Sequence, residues 1–497
     1  MGIERRNEVM TVTDQRVSRL NSLPFGLGVA TIAGLLLGAA SLWVPPAWML
    51  LAIAAGTFMF VFFRRPELVV LSIMLFTSTV FSADVLPTVS FGPVSLQVPD
   101  ILLLGLFGLI AIRWFVDPDF DLIFTPLDWP VLVFYGVVLL SATTAVISGS
   151  LDSVNARREM RFFTYYLVFF AVINLVRNKR QLLLLIRGIF FLSVIVAIAM
   201  VAQFFLGERY SLVLGHVYSL ARVGSQYEDV TRIIPPGLSL IFVGCVMAVV
   251  NLSYARRYTS SLFAACLGLL VLALVITFLR SYWVVSGFIF LIVLALLGLK
   301  EKVHLAKWGV ILAYFAIVVL FFSFAIGTRR IERLVAASFE RLGTLVQEET
   351  LTSDSLQGRY LETEYAIAQI KARPLLGVGV GGRYRPYDPL LDWGDEWSAR
   401  RFIHNGHLWI IVKTGILGYL GFLWMSMTVL IRGFRRWRTI SDWEIRGAVL
   451  SYTLVYLGLL VAAIVNSVFS SWFWTPLVGT MMGVNEVALR QSIIKEA

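Results

Sequence analysis

His404-Asn405, followed by nine residues and then Gly415-Ile416-Leu417-Gly418, is where this chain concentrates side chains able to do chemistry. The chain has only four histidines, and two of them, His404 and His407, stand here. An imidazole titrates close to neutral pH and can take the proton of an attacking hydroxyl. Arg359 and Arg383 lie in the polar stretch before the motif, and Arg280 and Arg232 lie upstream at the ends of apolar runs. Guanidiniums beside a low-dielectric surface stabilise charge developing on a phosphate leaving group. A base for the nucleophile and cations for the leaving group together suit group transfer. For each arginine taken alone, an interfacial anchor with its stem along apolar surface is the competing reading.

The neighbours of His404 have expected roles as well. Asn405 is placed to orient a substrate or the backbone where a helix begins. His407 is three residues beyond His404, so a helix through both would put them on one face. Two histidines without a third ligand of matching type do not make a metal site, and neither metal nor other cofactor is expected. Gly415 and Gly418 suit close helix packing.

What positions these residues is a membrane-spanning scaffold. Of the 497 residues 58% are hydrophobic and only 15% charged, too few polar groups to cover a soluble domain of that size. About 14 apolar runs approach the ~20 residues that cross the hydrocarbon core as a helix. They are 25–42, 47–63, 68–82, 100–116, 130–148, 162–176, 181–206, 234–253, 261–279, 282–299, 306–326, 405–431, 447–466 and 472–489. The expected fold is all-α, a polytopic transmembrane helical bundle of about 12–14 spans. It divides into a tail (1–24), a bundle of about 11 spans (25–326), a large loop (327–403), about three further spans (404–490) and a short tail (491–497). The first run is long for a signal-peptide core and reads as an uncleaved anchor. Cys245 and Cys266 fall within spans and form no disulfide framework.

Basic clusters set the orientation. Arg5 and Arg6, Arg64-Arg65, Lys179-Arg180, Arg256-Arg257, Lys300 with Lys302, and Arg435-Arg436 alternate onto one side. That side is expected to be cytoplasmic, together with both termini. The net charge of +11 is then mostly positive-inside charge and implies no nucleic-acid partner. The loop 327–403 faces outward, where there is no nucleotide sugar, so synthesis there needs an activated substrate held in the membrane.

Within that loop, Ile331, Leu334, Val335, Phe339, Leu342 and Leu345 recur at helical spacing among charges, an amphipathic helix over 329–347. A second helix is expected from about Leu356 to Ala372, ended by Pro374. The glycines of Gly377-Val378-Gly379-Val380-Gly381-Gly382 could cradle a phosphate with their amides. They follow a helix and a proline instead of a strand, so plain loop geometry is the simpler reading. Residues 384–403 mix Tyr, Trp, Asp and Arg, a composition suited either to a sugar surface or to a solvated lid.

The segment from Gly358 to Gly418 resembles the core of the O-antigen ligase and O-antigen polymerase family. The matching pieces are Gly358-Arg359, Pro374-Leu375-Leu376-Gly377-Val378-Gly379, and His404-Asn405 with its spaced Gly415 and Gly418. Thr277-Phe278-Leu279-Arg280-Ser281 is similar to a Thr-x-Ser-Arg-Gly type signature, with Leu279 and Ser281 replacing its Ser and Gly. Thr231-Arg232 through Gly237 resembles, less specifically, a segment that opens an earlier span in the family. The resemblance implies a bundle of the polyprenol-dependent, GT-C-like type. It also implies a glycan donor linked through pyrophosphate to a polyprenol, an acceptor presented from the same leaflet, and transfer without a metal.

The expected function is thus an extracytoplasmic, inverting glycosyltransferase of the bacterial inner membrane, of O-antigen ligase or polymerase type, working among membrane lipids. His404, Arg280 and Arg359 are the expected catalytic residues, with Arg232, Arg383, Asn405 and His407 binding substrate. The rival is a multi-span transporter of lipid-linked glycan or a small anion, which predicts ionisable residues deep within spans. Almost all charges fall at span ends; Glu486 reads as the deepest, with Arg490 one turn on as its expected partner.

Overall fold

Apolar runs of this length leave the backbone few ways to satisfy its own polar groups in lipid, and a helix is the local one. The computed structural model describes residues 62–81, 86, 88–91, 94–151, 153–210, 212–223, 225–255, 258–326, 329–343, 354–388, 391 and 400–496. Met1–Arg65 and Pro66–Ala497 are separate units, and the second is described here. The expected spans 25–42 and 47–63, apart from Phe62 and Phe63, lie outside the described residues, as do the signal anchor and the stretch 392–399.

Fifteen α-helices follow in chain order among the described residues: α1 (Pro66–Thr77), α2 (Val98–Val116), α3 (Asp128–Ile147), α4 (Ser153–Thr164), α5 (Val168–Leu175), α6 (Lys179–Leu206), α7 (Leu238–Tyr254), α8 (Tyr258–Ile276), α9 (Arg280–Leu296), α10 (Leu299–Ile326), α11 (Arg329–Gly343), α12 (Asp354–Ala372), α13 (Gly406–Arg436), α14 (Trp443–Ala462) and α15 (Thr475–Glu496). The chain is a polytopic all-α membrane protein. Seven of these helices are long and apolar enough to cross a membrane by length and composition. The expected span 162–176 is interrupted, running from α4 through a 3-10 turn into α5. Two short antiparallel hairpins, β1 (Thr88–Phe91) with β2 (Val94–Gln97) and β3 (His216–Ser219) with β4 (Thr231–Ile234), were not expected.

Burial decides which helices are central. In α14 78% of the apolar window is buried, against 6% in α10, and almost every residue of α7 is buried. Because lipid is as apolar as leucine, such helices associate through close packing at small residues. A Cβ added at Gly433 of α13 would meet Thr453 Oγ1 of α14 at 2.1 Å, and one at Gly458 of α14 would meet Phe242 of α7 at 3.1 Å. The Glu486 pairing differs from the sequence expectation. Its carboxylate takes a two-pronged bond from Arg432 of α13 (2.6 and 2.7 Å), while Arg490 faces the Ile173 and Val176 carbonyls. A planar guanidinium on a facing helix meets both carboxylate oxygens at once, which favours it over a same-helix neighbour.

The long helix α13 is broken at Gly415, where φ is +67°. The segment after Pro374 lies in the break. Val378 and Gly379 amides donate to the Val412 and Lys413 carbonyls (2.8 and 3.1 Å), and the Ile416 amide donates to the Pro374 carbonyl (2.8 Å). A Cβ at Gly415 would stand 2.1 Å from the Leu375 carbonyl oxygen, so both the left-handed backbone and the close approach require glycine.

Candidate active site

His404 sits just before α13, with Asn405 as the helix N-cap accepting the Leu408 amide (3.0 Å). Of the two roles expected for Asn405, the structure shows the backbone one. Because the helix begins after Asn405, helical spacing does not relate His404 to His407. His407 Nε2 donates to the Leu460 carbonyl (2.9 Å), and its Nδ1 lies 3.3 Å from the Tyr419 hydroxyl. Both ring nitrogens are engaged in helix packing, and the structure does not bring His407 to His404 through these contacts.

His404 has a partner that sequence reasoning missed. Nδ1 lies 3.0 Å from each carboxylate oxygen of Glu362 on α12, and the His404 amide donates to the same carboxylate (3.1 Å). Glu362 is buried at 8% exposure, whereas the His404 side chain is 43% exposed. A carboxylate can only accept here, so Nδ1 carries the hydrogen and Nε2 presents its lone pair. Glu362 lies one turn beyond Arg359 on the same helix, and that spacing was the available signal.

The arginines gather around Arg280. Burial lowers the Arg359 pKa, Glu362 raises it, and Arg280 lowers it further. Burial likewise lowers that of Arg232, Tyr218 raises it, and Arg280 lowers it. The same is true of Arg341 on α11, depressed by burial and then by Arg232 and Arg280. Arg341 had not been singled out in the sequence. All of them stay charged near neutrality, because a guanidinium starts far above it.

Local structure explains the gathering. Arg232, on β4, donates to the Thr277 carbonyl (3.1 Å) and to the hydroxyl of its cross-strand partner Tyr218 (2.9 Å). Thr277 opens the turn between α8 and α9, in which buried Phe278 takes φ +50°. That conformation is strained for a non-glycine residue, and it places Arg280 at the start of α9. The end of α14 ties this turn to the histidine. The Gly406 amide donates to the Ala463 carbonyl (2.7 Å), and the Asn466 side-chain Nδ2 donates to Ser281 Oγ (3.0 Å). On α11, Arg333 pairs with Asp229 and Arg330 bonds the Phe205 carbonyl, which fixes the helix carrying Arg341.

The glycine loop does other work. The amides of Gly377, Val378, Gly379, Gly381 and Gly382 all donate to protein oxygens, including Glu159 Oε2 (2.5 Å from Gly381), so they are not free to cradle a phosphate. Arg383 follows that loop, and its charge acts on Arg401 together with Glu159, Arg158 and Arg400. It therefore stands with a second group of charges. That group surrounds Lys413, wholly buried inside α13, which donates to Glu159 (3.1 and 3.3 Å) and the Gly382 carbonyl (2.6 Å). Sequence reasoning overlooked Lys413 as a charge within a span. Its three donors have three protein acceptors, which suits a fixed clip better than a moving ion.

Fold and site together define a polytopic membrane protein with a histidine–carboxylate pair beside an arginine cluster. Residues 263–423 match the family model for O-antigen ligase, which bears out the family resemblance of the sequence. The matched span runs from α8 into α13 and contains Arg280, Arg341, Arg359, Glu362 and His404; Arg232 precedes it. No curated protein matches the chain. The match points to a ligase-like membrane glycosyltransferase.

Proposed function

We propose that this chain moves a glycan from a polyprenyl-pyrophosphate donor onto the hydroxyl of an acceptor sugar, on the extracytoplasmic face of a bacterial inner membrane with both chain termini inside. The observation that carries this reading is the His404–Glu362 pair one helical turn from Arg359, whose charge is coupled to Arg280. The acceptor oxygen attacks the anomeric carbon as the bond from that carbon to the pyrophosphate oxygen breaks. His404 Nε2 takes the hydroxyl proton, and Glu362 offsets the imidazolium charge. The electron pair of the broken bond leaves with the polyprenyl pyrophosphate, whose added charge Arg280, Arg359, Arg232 and Arg341 stabilise. Direct displacement inverts the anomeric centre.

The test is reconstitution in liposomes with an undecaprenyl-pyrophosphate-linked oligosaccharide and candidate glycan acceptors. Arg280→Ala and Arg359→Ala are each expected to lower the transfer rate on the order of 10²–10³-fold. Donor use at the wild-type rate in both variants would sink the pyrophosphate assignment. Arg341, on α11, feels the charges of both Arg232 and Arg280. Arg341→Ala is expected to raise the donor KM about tenfold and leave the acceptor KM unchanged; equal shifts in both would remove Arg341 from the donor site.

A further inference from the structure

Phe402 and the Tyr365–Asp388 pair have no part in the transfer step just described. Phe402 is 39% exposed, and its ring centroid is 4.9 Å from that of the His404 ring at 80° between planes. Glu362 occupies Nδ1, so an acceptor hydroxyl must approach Nε2 on the other side of the imidazole. An exposed aromatic ring therefore lies within about one sugar's width of the atom that an acceptor must reach. Apolar ring faces of this kind stack on the C–H faces of pyranoses, gaining contact area without needing a charged ligand.

Helix α12 supplies an independent line. Arg359, Glu362 and Tyr365 occupy successive i, i+3 positions, each step advancing about 4.5 Å along the axis. Arg359 shares its field with Arg280, Glu362 holds His404, and the Tyr365 hydroxyl donates to Asp388 (3.2 Å). The helix thus runs from the leaving-group arginines, past the base, to a carboxylate oriented by a tyrosine. Carboxylates accept sugar hydroxyl hydrogens strongly.

We infer that Phe402 and Asp388 form the acceptor subsite, and that its ligand is a neutral pyranose. Phe402 stacks on the sugar at the base, and Asp388, oriented by Tyr365, accepts a hydroxyl from the same glycan. The inference rests on the transfer reading for its direction, donor before the base and acceptor after it. Its test needs no transfer.

Full-length protein in nanodiscs is titrated with methyl pyranosides of glucose, galactose, mannose and N-acetylglucosamine, with binding read by saturation-transfer NMR. At least one is expected to bind, with the strongest transfer to the C–H protons of one ring face. Phe402→Leu, which keeps apolar bulk but removes the ring, weakens that sugar about tenfold, and Phe402→Trp retains it. Asp388→Asn weakens it several-fold. No binding across the panel, or wild-type affinity in Phe402→Leu, would overturn the subsite. If sugars bind as expected but no variant of His404 affects transfer, the subsite stands and the base assignment fails.

Discussion

Replacing His404 with alanine is expected to slow glycan transfer by about 10²–10⁴-fold, the usual share of a positioned general base. The fold should survive the change. Glu362 would lose the imidazole but keep the His404 backbone amide at 3.1 Å, because alanine retains that N–H. The loss should therefore fall on turnover, measured as initial transfer rate in proteoliposomes at saturating donor and acceptor, with thermal unfolding in detergent nearly unchanged. Glu362→Gln is the companion variant. It preserves shape and can still accept the Nδ1 hydrogen, but it no longer offsets the imidazolium, and turnover should drop on the order of 10²-fold with donor KM held. Wild-type transfer by the alanine variant would remove His404 as the base, whatever the arginine variants do.

Lys413→Met is expected to destabilise the protein by about 3–5 kcal/mol, since removing one partner of a buried pair strands the other. Glu159, at 3% exposure, would keep the Gly381 amide but lose its cation, and the Gly382 carbonyl would lose a donor. The effect should be visible as a lower unfolding temperature of the purified protein in detergent. The double variant Lys413→Met with Glu159→Gln removes the stranded charge and leaves the Gly381 amide an acceptor, so it should recover most of the loss. A single variant as stable as the wild type would show that the pair does not clamp the glycine loop against α13. Function should follow stability here, because that clamp joins α4, the glycine loop and the broken helix just after the histidine.

Much of the scaffold was legible because it is local. A twenty-residue apolar run specifies a helix within its own length, and the described helices α1 to α3, α5 to α10 and α13 to α15 coincide with those runs, whereas the polar helix α4 lies almost wholly before its run. The two loop helices, α11 and α12, were equally legible from amphipathic spacing and from Pro374. Pairings were not legible. Arg490 read as the partner of Glu486, yet Arg432 on a facing helix takes the carboxylate. Lys413 looked like one polar residue in an apolar run until Glu159, 254 residues away, was seen against it.

The site divides in the same way. His404 and Arg280 stood out in the sequence because rare or charged residues at the edges of spans need a reason to be there, and Arg359 because Gly358-Arg359 is one of the pieces that carry the family resemblance. Glu362 and Arg341 did not, since nothing in their own segments separates them from ordinary residues of an amphipathic helix. The sequence by itself determined which segments are helical and which side chains are chemically unusual, both properties of composition and short-range periodicity. Only the tertiary structure decided that Glu362 holds His404, that Arg341 joins Arg280, and that His407 turns into the packing. The physical reason is that hydrogen bonds and charge coupling depend on distance in space, and chain separation does not encode it.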